Sequence, residues 1–321
     1  MKWKKKYNNS RLIFRKPYNL FGDYLLKKYA AKVFKVPINA GLSCPNRDGT
    51  KGYNGCIFCS DGGYAVKNFL HGEPIHDQMR RIVESFQRGN EFVQYIAYLQ
   101  AYTNTYADVS VLEKIYDAAV SFPDIVGLMI GTRPDCINAD ILRLINKYKK
   151  ENFELWIELG IQSMNEKSLK FFNRGHSVKD SIDAINLISE YDIPVCAHII
   201  LGIPGETWDD MMYSAEQLSR LPINGIKIHH MHVIKDTMLE NIYNTKKFSL
   251  FSQREYVSTV CDFIERIRPD IIIHRLMGDC DLDSLVFPKW SMHKGTVLKA
   301  IDDEFAKRST YQGFLQDPDY R

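Results

Sequence analysis

"VFKVPINAGLSCPNRDGTKGYNGCIFC" occupies residues 33–59. Its apolar opening, VFKVPI (33–38), has the length and β-branched content of a buried strand. A loop then carries Cys44, Cys56 and Cys59 among Gly49, Gly52 and Gly55. Similar apolar runs recur downstream: VQYIAYL (93–99), IVGLMI (125–130), ELWIEL (154–159), VCAHIIL (195–201) and GIKIHHMHV (225–233). They are apolar nearly throughout, as strands covered on both faces of a parallel sheet must be. Helical patterns separate them. Ile75, Met79, Ile82, Val83 and Phe86 form one stripe, and Asp108 suits a helix start. Ser177 with Asp180, and Thr207 with Asp210, resemble capping boxes. The βα unit thus repeats about six times between residues 33 and 235, which implies parallel strands with right-handed crossovers. Six units fall short of a closed eight-stranded barrel, leaving a partial barrel or a doubly wound sheet. Either places ligands at the carboxyl ends of the strands.

After residue 235 the pattern changes. Residues 252–267 read as a helix, 270–278 as a further strand and 292–306 as a closing helix, followed by a polar tail. The expected organisation is a basic N-terminal arm (1–32), a core (33–235) and a C-terminal extension packed on it (236–321).

The 321 residues are 45% hydrophobic and 25% charged, an ordinary globular composition. No apolar run approaches the ~20 residues that cross a bilayer, and the N-terminus has no apolar signal segment. These features imply a cytosolic protein, with no membrane partner. Seven cysteines are an odd number, and a reducing compartment argues against a disulfide framework. Residues 1–35 carry a charge of +10, whereas the whole chain carries only +3. Trp3, Tyr7, Phe14, Tyr18 and Phe21 are interleaved with those bases. That mixture suits RNA, where stacking and cation attraction act together, although a solubilising tail has the same composition.

The cysteines admit three readings. They could be unrelated core residues. They could bind zinc, with His71 or His76 as a fourth ligand. Or they could hold three irons of a [4Fe–4S] cluster and leave the fourth open to an exchangeable ligand.

A first-strand loop with three cysteines, Phe58 before the last of them, and six βα units resemble the radical S-adenosylmethionine (SAM) enzymes. The eleven-residue gap between Cys44 and Cys56 is similar to the long-gap branch that includes the catalytic subunit of Elongator. The stretches QAYTNTY (100–106), GTRPDC (131–136), ELGIQS (158–163), NRGH (173–176), HIILGIPGE (198–206) and GIKIHHMHVIK (225–235) resemble, in order, the YhcC/YtqA family. IIIHRLMGD (271–279) and STYQG (309–313) resemble its Gram-positive YtqA branch.

The resemblance implies an α/β fold, a partial (βα)6 radical SAM barrel with a C-terminal α/β extension. It implies a [4Fe–4S] cluster on Cys44, Cys56 and Cys59, and SAM, cleaved to a 5′-deoxyadenosyl radical. Phe58 would flank the adenine. Gln100 and Thr103 would replace the usual contacts to the SAM amino group. Glu158 and Gln162 would bind the ribose side, Arg174 the methionyl carboxylate, and Gly202 would admit the adenine closely. The implied substrate is tRNA wobble uridine, with 5-carboxymethylaminomethyluridine or its 2-thio form converted to the 5-aminomethyl product. Lys227, His229 and Arg275 would meet its carboxylate. An electron donor such as flavodoxin or ferredoxin would serve the cluster. Bland readings stand beside these: Arg133 and Asp135 as a structural pair, Cys136 as an inert thiol and His198 as a satisfied core histidine. A radical SAM enzyme of a small metabolite, or a non-catalytic zinc-stabilised RNA-binding protein, would share many of these features.

Overall fold

The computed structural model describes residues 16–59, 72–87, 93–246, 248–279 and 283–316. The apolar runs become strands β1 (Lys32–Ile38), β2 (Val93–Leu99), β3 (Ile125–Thr132), β4 (Glu154–Gln162), β5 (Val195–Leu201) and β6 (Gly225–His230). A two-residue β7 (Val233–Ile234), β8 (Ile272–Arg275) and β9 (Leu285–Phe287) complete the set. Strands β1 to β6 pair in sequence order, all parallel, and β8 adds beside β6. Strands β7 and β9 form a separate antiparallel pair. The expected partial barrel is therefore present, with one correction. Its sheet has seven parallel strands, and the seventh comes from the segment expected as an extension.

In a flat sheet, six steps of about 4.8 Å would hold the outer strands about 30 Å apart. Instead Lys35 on β1 reaches His274 on β8 at 3.4 Å. The sheet curls into a half-barrel. Its convex face carries Val36, Ala97, Leu128, Ile157, Ala197 and Ile226, which form the main core with the surrounding helices. In chain order the helices are α1 (Phe21–Tyr29), α2 (Ile75–Gln87), α3 (Val109–Val120), α4 (Ala139–Asn146), α5 (Glu166–Phe171), α6 (Val178–Ser189), α7 (Trp208–Arg220), α8 (Met238–Lys246), α9 (Gln253–Ile264) and α10 (Lys294–Arg308). Capping boxes at Ser177–Asp180 and Thr207–Asp210 start α6 and α7 as expected, and Ser252–Glu255 starts α9 in the same way. Asp108 sits at the N-cap of α3 without a side-chain cap bond.

The concave face forms a second cluster of Ile96, Tyr98, Met129, Trp156 and Cys196, closed from below by Phe21 and Leu25 of α1. Phe21 stacks on His274 at 4.0 Å and meets Trp156 edge-on at 5.8 Å. Glu154 at the start of β4 accepts from Lys28 Nζ (2.5 Å), Tyr24 OH (3.1 Å) and Trp156 Nε1 (2.7 Å). Leu20 also bridges to Ile273 on β8. Residues 16–32, expected within a basic arm, are thus the floor of the barrel. The strongly basic residues 1–15 lie outside the described residues.

Truncating Phe21 to alanine removes a ring from a closed site. It should lower stability by about 3–5 kcal/mol, read as a drop in the urea midpoint at constant slope. A pH effect follows from buried rings. Burial pushes His230 and His274 down to about 3 and His232 down to about 4. Below pH ~6.5 the unfolded chain binds protons that these folded rings refuse. Stability is therefore fully present above pH ~6.5 and falls toward pH 4, by up to about 1.4 kcal/mol per pH unit for each ring. Calorimetric Tm between pH 7 and pH 5 checks this.

Candidate active site

The cysteine loop leaves the carboxyl end of β1 and folds back through short backbone bonds. Arg47 N and Asp48 N donate to Cys44 O, Gly55 N donates to Asn46 O, and Cys59 N donates to Cys56 O. Gly55 lies in the left-handed region at φ +65°, where a Cβ would also strike the Arg47 side chain. The wrap brings the three thiols into one field. Burial, then the neighbouring Cys56, push the Cys59 thiol up to about 12, against Arg47. A single tetrahedral zinc holds its sulfurs about 3.8 Å apart, from bonds of about 2.3 Å. Among the described residues, the set of three ligand atoms that all lie within 4.8 Å is Glu158, Cys196 and His198, not these cysteines. His76, a candidate fourth zinc ligand, faces Ala118 O at 2.9 Å on α2 and α3, and His71 lies outside the described residues. Three spaced thiols suit a multi-iron cluster better than one ion.

Buried donors face this loop. Arg174 NH1 donates to Cys56 Sγ at 3.1 Å and NH2 donates to Gly160 O at 2.6 Å. Asn46 Nδ2 lies 3.7 Å from the same sulfur. Arg174 Nε and Thr103 Oγ1 are buried without a partner among the described residues. Thr103 N is tied to Ser43 O and Gln100 N to Ile38 O, which lays the QAYTNTY loop along the cysteine loop. Phe58 meets Phe172 edge-on at 4.7 Å in an apolar wall with Ile200, Ile203 and Met231. From the C-terminal segment, Leu239 N donates to Ile57 O, so α8 clamps the loop.

Below this wall lies a charged chamber. Glu158 is fully buried and accepts from Lys227 Nζ (2.5 Å) and Lys35 Nζ (3.3 Å), with His198 Nε2 at 2.9 Å. Burial would raise its pKa, but Lys227 and Lys35 outweigh burial and hold it well below the usual carboxylate range. A carboxylate only accepts, so His198 Nε2 carries the proton in this contact. Lys227 also donates to Tyr98 OH at 3.0 Å, and burial pushes its ammonium down to about 8 despite Glu158. His229 stacks at 6.0 Å on His198, and its Nε2 is buried without a partner among the described residues. Arg275 stands at the carboxyl end of β8, 3.2 Å from Asp279 and about a third exposed. Two ammoniums on Glu158 repel a cation, so Glu158, Cys196 and His198 are not a metal site despite their proximity.

The structure brings Lys227, His229 and Arg275 to one chamber. It puts Cys44, Cys56, Cys59, Phe58, Gln100 and Thr103 around one loop. Three of the expected residues have partners of their own within the chain. Glu158 points into the chamber, where Lys35 bonds one of its oxygens and Lys227 and His198 the other. Arg174 is engaged through NH1 and NH2 with a cysteine sulfur and a carbonyl, and its Nε is buried without a partner among the described residues. Gly202, at φ +81°, has the Phe251 ring against it, 2.8 Å from where a Cβ would lie. Gln162 is a non-glycine residue at φ +74°, with its amide nitrogen over Gly160 beside Arg174. Arg133 and Asp135 form the bidentate pair of the bland reading (2.9 and 3.0 Å). Burial pushes the Cys136 thiol up to about 12, which keeps it protonated and inert.

Sequence reasoning missed Lys35, Tyr98, His274 and Asn46. Lys35 had one signal, a charge inside an apolar strand. Asn46 had none.

Comparison with known proteins agrees with this geometry. The radical SAM superfamily model matches residues 47–218, more than half the chain, and a radical SAM C-terminal domain model matches residues 223–307. YtqA of Bacillus subtilis is 38% identical over 93% of this chain and 92% of its own length. YhcC of Escherichia coli is 34% identical over 88% and 91%. A tRNA uridine(34) acetyltransferase of Dehalococcoides mccartyi is 28% identical over 48% of this chain and 33% of its own. Among solved structures, archaeal Elp3 of Methanocaldococcus infernus superposes with a TM-score of 0.66 at 17% identity, over 88% of this chain and 64% of its own. SuiB of Streptococcus suis bound to S-adenosylmethionine gives 0.53 at 13% identity, over 81% and 54%. The chain spans less than two thirds of each of these two solved chains, and at such identities they support the fold alone. Matched along most of its length, the chain belongs to the radical SAM superfamily, in the branch of YtqA and YhcC, as an enzyme that works with a [4Fe–4S] cluster and S-adenosylmethionine.

Proposed function

We propose that the enzyme acts on the wobble uridine of tRNA and converts 5-carboxymethylaminomethyluridine, or its 2-thio form, to the 5-aminomethyl product. The observation that carries this reading is the charge of the chamber. One carboxylate, Glu158, faces the two ammoniums of Lys35 and Lys227, while Arg275 at the rim is paired with Asp279, so the chamber is one anion short. The carboxymethyl group of such a substrate supplies it. The tRNA uridine(34) acetyltransferase among the relatives supports the nucleic-acid part.

The residues present fit the implied groups. Three thiols converge beside a buried guanidinium that already donates to sulfur, and Thr103 Oγ1 and Arg174 Nε are polar atoms in want of partners. Cys44, Cys56 and Cys59 would hold the cluster. Phe58, Gln100, Thr103 and Gln162 would surround SAM. Together, when bound, these groups supply a 5′-deoxyadenosyl radical able to take a hydrogen atom from an unactivated C–H bond. The protein's own part is to keep water out and hold the target. Ile200, Ile203, Met231 and Phe58 make the wall dry. Burial holds His198 down to about 4 and His229 well below its usual value, so neither ring adds charge at neutral pH. Lys227 and Arg275 then fix the carboxylate, with the adjacent methylene turned toward the apolar wall. Residues 1–15 would hold RNA phosphates, which makes binding salt-sensitive.

Four outcomes test this. Anaerobic reconstitution should give a brown, reducible four-iron protein that releases 5′-deoxyadenosine, and wobble nucleosides from a deletion strain should accumulate the carboxymethylaminomethyl form in mass spectrometry. Unchanged nucleosides would refute the substrate while leaving the enzyme class intact. Arg275→Met should raise KM for modified tRNA about 10- to 100-fold, the worth of one charged hydrogen bond, without altering SAM cleavage in the absence of tRNA. Arg174→Met should move the cluster potential negative by on the order of 50 mV in an EPR-monitored titration, because a one-electron couple shifts about 59 mV per tenfold change in equilibrium.

A further inference from the structure

With α1 closing the floor, a substrate enters the barrel at the carboxyl ends of its strands, where the cysteine loop lies. Tyr53 in that loop is 80% exposed, more than any other large hydrophobic side chain among the described residues. A side chain so exposed is ordinarily free to wander, but the backbone holds this one. Gly49 sits at φ +92°, and a Cβ on it would lie 2.6 Å from Tyr53 Cε1 and 2.9 Å from the hydroxyl. The ring thus rests on bare backbone on one side and is open to water on the other. Gly55 makes the same room for Arg47, whose Nε and Cγ would lie 2.9 and 3.1 Å from its Cβ. The Arg47 guanidinium stands 5.6 Å over the ring of Tyr102, in the QAYTNTY loop. Thr50 Oγ1 and Tyr106 OH, 2.7 Å apart, join the two loops a second time.

Charge does not account for this arrangement. Around Tyr53 the loop carries Arg47 and Lys51 against Asp48. Lys51 is paired with Asp135 (2.5 Å), and Asp48 accepts from Thr50 N (3.0 Å). A protein partner would need a contiguous apolar patch. The exposed chain neighbours of Tyr53 are instead Thr50, Lys51 and Asn54, all polar. A fixed ring beside a guanidinium stacked on an aromatic is the surface on which unpaired nucleobases settle, because every base has a π-face.

We propose that Tyr53 is a stacking platform for one unpaired base of the tRNA anticodon loop, holding it while the wobble base enters the chamber. The proposal rests on the tRNA reading above and names a surface for it among the described residues. An enzyme that does chemistry on one base takes that base out of its stack, so a neighbouring base loses a stacking partner. Tyr53 supplies the replacement. Basic residues grip phosphates alike at every nucleotide, whereas a ring that accepts one base sets the register of the strand.

The test uses the reconstituted full chain and a tRNA ligated from synthetic halves, with 5-carboxymethylaminomethyluridine at the wobble position. We expect Tyr53→Ala to weaken binding about 5- to 150-fold, as for the loss of one stacked base, and Tyr53→Phe to bind as the unsubstituted chain does. The slope of log affinity against log salt should not change, since no phosphate contact is lost. Iron content, and 5′-deoxyadenosine release without RNA, should match the unsubstituted chain. An abasic nucleotide at one unpaired position should cost the unsubstituted chain a comparable factor and cost Tyr53→Ala nothing further. Normal binding by Tyr53→Ala would overturn the proposal. So would an equal loss in Tyr53→Phe, which would assign the effect to the hydroxyl, or losses that add at every abasic position. An unsubstituted chain that does not bind this tRNA would sink the tRNA reading itself, and the proposal with it, before any variant is made.

Discussion

One buried carboxylate organises this barrel. Glu158 on β4 is reached by Lys35 from β1, His198 from β5 and Lys227 from β6, with His274 from β8 3.7 Å away. Strands at opposite edges of a seven-stranded sheet can share one counter-ion only if the sheet curls. Such a buried network adds little net stability, because desolvation offsets most of the attraction. Removing one partner is costly, commonly about 3–5 kcal/mol, since it strands charge in the interior. The network therefore specifies shape. It also leaves the chamber one anion short, and that deficit carries the reading of the substrate.

Two closures make the chamber usable. From below, α1 sets Phe21 on His274 and ties itself to Glu154, so the floor is aromatic and dry. From above, the thiolate loop is held by Arg174 and Asn46 on one side and by α8 on the other. Segments from both ends of the chain thus enclose chemistry carried by its middle. A radical intermediate needs that enclosure, since open water offers side reactions.

Arg174 shows how one residue can link functions. Its guanidinium bonds a cysteine sulfur, and its own carbonyl accepts from Arg133 NH2 at 2.5 Å. Arg133 is neutralised by Asp135, whereas Arg174 is joined to a thiol and a carbonyl. A buried cation without a carboxylate is stable only beside developing negative charge. Cys44, Cys56 and Cys59, deprotonated as ligands of the cluster, would supply that charge.

Local order determined much of this protein. Apolar runs of strand length and capping signals placed six strands and two helix starts. The spacing of Cys44, Cys56 and Cys59 marked the site, because chelation by nearby residues is a property of the chain. Period-two alternation also put Lys227 and His229 on one face. Alternation does not say which faces meet. Lys35 and His274 are 239 residues apart, and only the curvature of the sheet makes them neighbours. The same holds for Glu158, whose lysine partners come from β1 and β6 and become neighbours only through the curl. Residues 16–32 read as an arm because their charge is on the surface of α1. Tertiary packing decided that the other side of that helix is the floor, since an apolar face is recognisable in sequence only once its partner exists.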